Sequence, residues 1–390
     1  MIRPRHFVLL VVAAVTLTPS VARGQSETGA RLLGNVGLGR PTRPIDSRSA
    51  GMGGIAVALH GSNGSMVNPA ALTSIAISGV WVAFSPENRN VDGVVASGDI
   101  TTAQFPLIRM AIPFGERWVV GAGFGSYLNQ DWGVQFIDTL RLSTGDVAFR
   151  EDRTSEGGIS QFRVDVGRRM SGKLAIGVGG IFYFGKTRLE VERAFSSASG
   201  LTGYRSTEGI EYEGWGISLG TLWRPIPDMI VGAAGSWGAA LDVEADSSGS
   251  SKSFDQPLTL DLGASWQLAP DLLVALSAGW ANWSAVGDDL ETPGASDLWR
   301  FAVGSEFRLL GNRTTQLHGR LGGRLQQLPF RLRRGAPWER ALTLGLGSRF
   351  RGGLGRVDLA VEFGKRGEKD TNDLEENFTR WTFSVSVFAN

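Results

Sequence analysis

Leu342-Thr343-Leu344-Gly345-Leu346-Gly347-Ser348-Arg349-Phe350 decides how this chain is read. Successive side chains of a strand point to opposite sides, so Leu342, Leu344, Leu346 and Phe350 share one face, and Thr343, Gly345, Gly347, Arg349 and Arg351 the other. The alternation recurs at Trp299 to Leu309, Leu258 to Leu268 and Val357 to Phe363. It fits either a soluble sandwich, whose apolar face turns inward, or a membrane barrel, whose apolar face turns outward. Connection lengths separate the two. About fourteen strands run from residue 77 to 389, and short joins alternate with long ones. The short joins are Gly115-Glu116, Met170–Gly172, Pro225–Pro227, Ala269-Pro270, Leu310–Arg313 and Gly352-Gly353; the long ones lie near 87–100, 129–157, 194–204, 242–254, 285–295, 327–338 and 367–375. Tight turns at one end and long loops at the other are the pattern of a transmembrane antiparallel β-barrel, and a sandwich has no reason to adopt it. The expected fold class is all-β.

Composition agrees. Lys+Arg 39 against Asp+Glu 38 leaves a net charge of +1, which argues against a nucleic-acid partner. With no cysteine, thiolate metal sites, disulfides, Cys nucleophiles and a lipidated cysteine are all excluded. Residues 1–24 read as an export signal: Arg3 and Arg5, then the apolar run Phe7–Leu17, then small residues up to Gly24. That run is short of the roughly 20 residues a spanning helix needs. A periplasmic N-terminus places the short turns in the periplasm and the long loops outside. Trp118, Tyr127, Trp223, Trp237, Trp280, Trp283, Trp299 and Trp381, near strand ends, are candidates for interfacial girdles. The end of the chain, Phe378 to Asn390, alternates up to Phe388, as the signals handled by the barrel assembly machinery do, although the aromatic is third from last.

Few residues could carry chemistry. Beyond the leader only His60 and His318 remain, too few for a three-His zinc site, so no cofactor, metal or enzymatic role is expected. His60-Gly61-Ser62 is a poor nucleophile–base pair because a glycine-rich turn does not hold the geometry. The runs Gly51–Gly54 and Gly177–Gly180 lack the Gly-Lys-Ser/Thr continuation of a phosphate loop. By strand parity the lumen face carries Arg300, Glu306, Arg308, Arg320, Arg324 and Arg349, read either as paired charges bracing the wall or as a path for a polar or anionic solute. Pro106, inside the second strand, cannot donate to the ladder, which implies a bulge or break in the wall. Such a break is either a lateral exit for an apolar ligand or a tolerated kink.

The segment ahead of the strands, Asp46–Ala71, is too rich in glycine for regular structure and ends in Asn68-Pro69, a fixed bend. Ser49-Ala50-Gly51-Met52-Gly53-Gly54 followed by Asn68-Pro69-Ala70-Ala71-Leu72 resembles the head of FadL/TodX-type outer-membrane transporters and of the related PorV/PorQ-type barrels. The resemblance implies that residues 25–76 form a hatch inside a barrel of residues 77–390. Ala50, Gly51, Met52, Gly53, Gly54, Asn68, Pro69 and Ala70 would be the hatch residues. It also implies an outer-membrane location among lipid, and passive uptake of a small hydrophobic ligand of the fatty-acid or aromatic-hydrocarbon type. The PorV/PorQ likeness implies the alternative, a secretion partner or structural barrel that binds secretion-system proteins. His60–Gly64 stands where such transporters often carry an acidic pair and an aromatic. A lumen filled by arginine–carboxylate pairs would favour a closed scaffold, and an apolar cavity beside Pro106 would favour transport.

Overall fold

The computed structural model describes residues 39–61, 63–93, 97–142, 145–196, 200–246, 251–287, 295–312, 314–331 and 335–389. The expected export signal lies outside them. Fourteen strands close an antiparallel ring: β1 Ser78–Gly93, β2 Ser97–Phe114, β3 Trp118–Asn129, β4 Gly145–Arg169, β5 Leu174–Phe195, β6 Tyr204–Trp223, β7 Met229–Gly238, β8 Thr259–Ala269, β9 Leu272–Ala281, β10 Leu298–Gly311, β11 Gln316–Gln327, β12 Trp338–Phe350, β13 Gly355–Arg366 and β14 Leu374–Ala389. The ring is shut by β14 pairing with β1, from Leu374↔Gly93 to Ala389↔Ser78. Every described helix is far too short and polar to cross a membrane. The β14–β1 pairing removes the free terminal edges of the sheet, as a strand-built membrane span requires.

The alternation of β12 is physical. Leu342, Leu344 and Leu346 are exposed on the outside at 69%, 48% and 51%, while Thr343 between them is fully buried. The outer surface carries an apolar band, with Phe114, Trp118 and Trp223 near the turn end and Trp215, Trp237 and Trp299 near the loop end. Two of the expected girdle residues belong elsewhere. Trp283 is buried against Phe330, and Tyr127 packs at a tilt against Tyr183 with ring centroids 4.6 Å apart, both on the lumen side. Tyr127 lies beside a bulge between Ser126 and Leu128, and nearness to a strand end, on which it was assigned, does not say which face a side chain takes.

The long joins are more ordered than their polar composition suggests. β4, β5 and β6 run 25, 22 and 20 residues, about twice the span of roughly 10 that a bilayer requires. Their loop ends form a sheet extended by Trp132–Leu142 on β4 and by the hairpin Leu241–Ala245/Ser251–Phe254 on β6. The join near 87–100 is likewise a continuation of β1 and β2.

An arginine on the lipid face cannot keep its hydration. Leu344→Arg is expected to destabilise the barrel by about 2–4 kcal/mol in denaturant unfolding from lipid vesicles, whereas Val387→Arg, at the turn end, should cost less.

Candidate functional site

Two structures dominate the interior: residues 39–77 and the ion pairs that surround them. Arg40–Pro41 adds a two-residue strand to β3, with Arg40↔Asn129 and Pro41↔Leu128. A short helix, Ser47–Ala50, follows. Its cap is Asp46, whose Oδ1 accepts from the Ser49 amide at 2.9 Å and whose Oδ2 accepts from the Gly64 amide at 2.8 Å, tying both ends of the glycine-rich loop to one carboxylate. Asn68 caps the 3₁₀ turn Pro69–Ser74 through Ala70 N–H, and its amide donates to Val57 O at 2.8 Å and to Thr221 O on β6 at 3.1 Å. The segment thus carries two short helical turns where the glycine content argued for none. Side-chain caps supply the partners that the short turns lack.

Contact with the wall is largely backbone to backbone. Thr343 Oγ1 donates to Gly51 O at 3.0 Å and accepts from Gly53 N–H at 2.9 Å. A Cβ at Gly304 on β10 would lie 2.6 Å from Met52 O, and one at Gly53 would lie 2.5 Å from Gly323 O. Gly345, Gly322 and Gly177 meet Gly51, Gly53 and Pro69 in the same way, and Gly220 makes room for the Asn68 side chain. Ala50, Met52 and Ala70 are fully buried in these contacts.

Arg48 binds Glu306 of β10 through two hydrogen bonds of 2.9 and 2.8 Å, and donates to His60 O at 2.7 Å. Glu306 also takes Arg320 at 2.7 Å, and Arg320 continues to Asp358 at 2.8 Å. Nearer the loops, Arg324 bridges Glu339 and Glu362, each at 2.8 Å, and Arg366 joins Glu339 at 2.6 Å and Glu87 at 3.1 Å. Arg380 and Arg40 complete Glu87. Glu306 and Arg320 therefore pair in the lumen, Arg324 belongs to a second group with Glu339 and Glu362, and Arg300 joins Asp261 and Gln326, whereas Arg349 lies at the turn end of β12 opposite Arg356. Arg308 sits apart, exposed beside Asp271 at a bulge between Arg308 and Leu310. Sequence parity puts Glu362 on the lumen face, but it missed Glu87, Glu339 and Arg366, and matching any of them to a partner needs the register between distant strands. Among the described residues no cluster of His, Cys, Asp or Glu could hold a metal ion.

Pro106 does not interrupt β2, which is continuous across it. The change is in its neighbours. The β1–β2 register slips between Ala83 and Ser85, opposite Pro106. Pairing of β2 with β3 begins at Leu107↔Gly125 and runs only toward the turns. On the loop side β2 leaves β3, and Arg40–Pro41 occupies the β3 edge, helped by Thr42 N–H donating to Tyr127 O at 2.8 Å. A recess of about 870 Å³ lies over this seam, with Phe105, Phe124 and Phe184 along it and Lys186, Glu211 and Glu213 beyond. Inside, the chain Arg40–Pro44 separates a cavity of about 60 Å³ beside Pro106 from one of about 100 Å³ beside Tyr127.

With the glycine-packed segment and the seam in place, the family follows from the matched sequence. A family model described as BamG matches residues 1–231, the head and the first strands of the barrel. The chain belongs to the BamG family. No curated protein matches it. Among solved structures this BamG-family chain is similar in fold to the Ralstonia pickettii toluene transporter TbuX, with TM-score 0.61 and 17% identity over 90% of this chain and 99% of that one. It is also similar to the Pseudomonas putida toluene transporter TodX (TM-score 0.60, 16% identity, 90% and 99% covered). A Pseudomonas aeruginosa FadL homologue gives TM-score 0.58 at 12% identity, with 89% and 98% covered. The BamG-family chain therefore has the FadL-type outer-membrane barrel fold.

Two outcomes test the interior. Arg48→Ala leaves Glu306 short of a partner in a buried place and is expected to lower stability by about 3 kcal/mol in denaturant unfolding. His60 accepts or donates to Ser265 Oγ at 2.8 Å, and burial, then Arg224 and Arg48, lower its pKa from 6.5 to about 4. The folded protein thus holds His60 neutral. Its contribution is complete above about pH 6.5 and is lost as pH falls toward 4. His60→Gln should flatten that part of a stability–pH profile.

Proposed function

We propose that the protein mediates passive uptake of small hydrophobic compounds across the bacterial outer membrane, with residues 39–77 as hatch and the β2–β3 seam as lateral exit. The observation that carries this is the end of β2–β3 pairing at Leu107↔Gly125 beneath a recess lined by three phenylalanines. An apolar solute gains nothing from the charged lumen, so a side route into lipid is its favourable path. The fold shared with two structures titled toluene transporters supports the reading. The hatch residues Gly51, Met52, Gly53, Gly54, Asn68, Pro69 and Ala70 fix the segment against the wall, and Arg40–Pro41 holds the seam shut.

A second reading rests on the lumen itself. Its arginines and carboxylates are extensively paired around the segment and the cavity beside Pro106 is about 60 Å³, as a permanently closed barrel would have. The family name supports the barrel assembly machinery as partner, and a secretion-system partner of the PorV/PorQ kind is the other form of the same idea.

The chain has no cysteine, so a Phe105→Cys/Phe124→Cys pair bridged by a bis-maleimide gives a single defined clamp. Uptake of toluene into cells or vesicles is expected to fall at least about tenfold on bridging, with each single variant unaffected. Equal uptake in the clamped and free forms would remove the lateral route. Persistent co-purification with assembly components, together with no uptake in either form, would select the second reading.

A further inference from the structure

Toward the turn end of β11, β12 and β13 the lumen holds a group of charges that the hatch and the seam do not use. Arg320 reaches Glu306 at 2.7 Å and Asp358 at 2.8 Å, Arg356 reaches Asp358 at 2.5 Å, and Arg48 reaches Glu306 at 2.8 Å. Arg349 lies directly opposite Arg356 on the neighbouring strand. Like charges in that relation repel. Half-buried Arg349 has neither a hydrogen bond nor an ion pair among the described residues. Asp46 does not relieve the excess, because its two oxygens are taken by the amides of Ser49 and Gly64. Four guanidinium groups thus share the carboxylates of Glu306 and Asp358, and a buried charge without a partner is costly.

Unsatisfied atoms gather at the same place. Arg356 is 4% exposed, and its Nε and Nη2 make no hydrogen bond; its contact with Asp358 is an ion pair away from the hydrogen-bonding angle. Arg320, 2% exposed, leaves Nη1 unused. His318, 8% exposed, faces Gly347 of β12, two residues from Arg349, and its Nδ1 has no partner. One acceptor is also left over, Asp358 Oδ1. Buried polar atoms in this state are rare in native proteins and call for a partner. Donors from three strands therefore surround one carboxylate oxygen that itself lacks a donor.

We infer that the turn end of the lumen binds inorganic phosphate, held by Arg349, Arg356, Arg320 and His318 and giving its own proton to Asp358. A tetrahedral oxyanion presents acceptors in four directions, so it can take guanidinium groups from three strands at once, and such charge-assisted hydrogen bonds are the strong ones. His318 joins as the tautomer that carries its proton on Nδ1. Asp358 Oδ1 selects among oxyanions. At neutral pH inorganic phosphate keeps a P–O–H to donate, whereas sulfate and a phosphate diester have none and a monoester has mostly lost its own, with a second pKa of about 6. The bound anion would fasten β11, β12 and β13 to one another beneath the seat of Arg48. This site lies apart from the lateral route and does not depend on the uptake role.

The test is calorimetric titration of the full chain, at pH 7 in an uncharged detergent, with inorganic phosphate, sulfate, glycerol 3-phosphate and chloride. Phosphate is expected to bind one per chain and at least about tenfold more tightly than each of the others, the difference made by one charge-assisted hydrogen bond. Arg349→Gln should weaken phosphate about tenfold or more by the same contact while leaving denaturant unfolding in phosphate-free buffer unchanged, because Arg349 has no partner in the protein to lose. A purely structural arginine would show the reverse. Asp358→Asn, whose amide can donate as well as accept, should bring sulfate level with phosphate. Sulfate or glycerol 3-phosphate matching phosphate in the unaltered chain, undiminished phosphate binding by Arg349→Gln, or no heat at all would overturn the inference.

Discussion

The barrel interior depends on one constraint: the segment and the wall approach each other at backbone distance. That is possible only where neither surface carries a side chain, and the lumen face meets it with glycines on successive strands, from Gly177 and Gly220 to Gly304, Gly322 and Gly345. Any Cβ there would force the segment inward. Hydrogen bonds and apolar burial share in setting its position: Thr343 and Asn68 grip it from opposite sides of the ring, while Met52, Ile55, Met66 and Leu72 are buried against wall residues such as Leu273 and Leu107.

Around that contact the arginines act as braces. Each of the central carboxylates, Glu87, Glu306 and Glu339, is reached from more than one strand, so the pairs tie wall to wall as well as wall to segment. Buried pairs of this kind contribute little net stability compared with apolar packing. Their effect is geometric. A lumen braced in this way holds its cross-section, and the segment inherits a fixed seat.

The strand number and the direction of the apolar face were legible in the sequence, because period-two alternation and loop asymmetry are local signals. What was not legible depends on register. Tyr127 was misassigned because nearness to a strand end does not fix the face a side chain takes, and Arg308 falls at a bulge that shifts parity by one residue. The loop extensions of β4 to β6 were hidden because strands outside the bilayer need no apolar face and so show no alternation. Pro106 did mark the unusual place in the wall. It could not say that the vacated edge of β3 is taken by Arg40–Pro41, a pairing across almost ninety positions that no local pattern encodes.

That pairing has a mechanical meaning. Arg40–Pro41 is a patch two residues long at the seam where β2 leaves β3, and Arg40 is also anchored to Glu87. A two-residue ladder offers no partly paired intermediate of any length. Release of the patch bares the β3 edge at once, and with it a line of peptide groups that the bilayer cannot solvate. The wall at this point is therefore closed by the shortest of the described strands, and everything that holds it there is two residues of ladder and the Arg40–Glu87 pair.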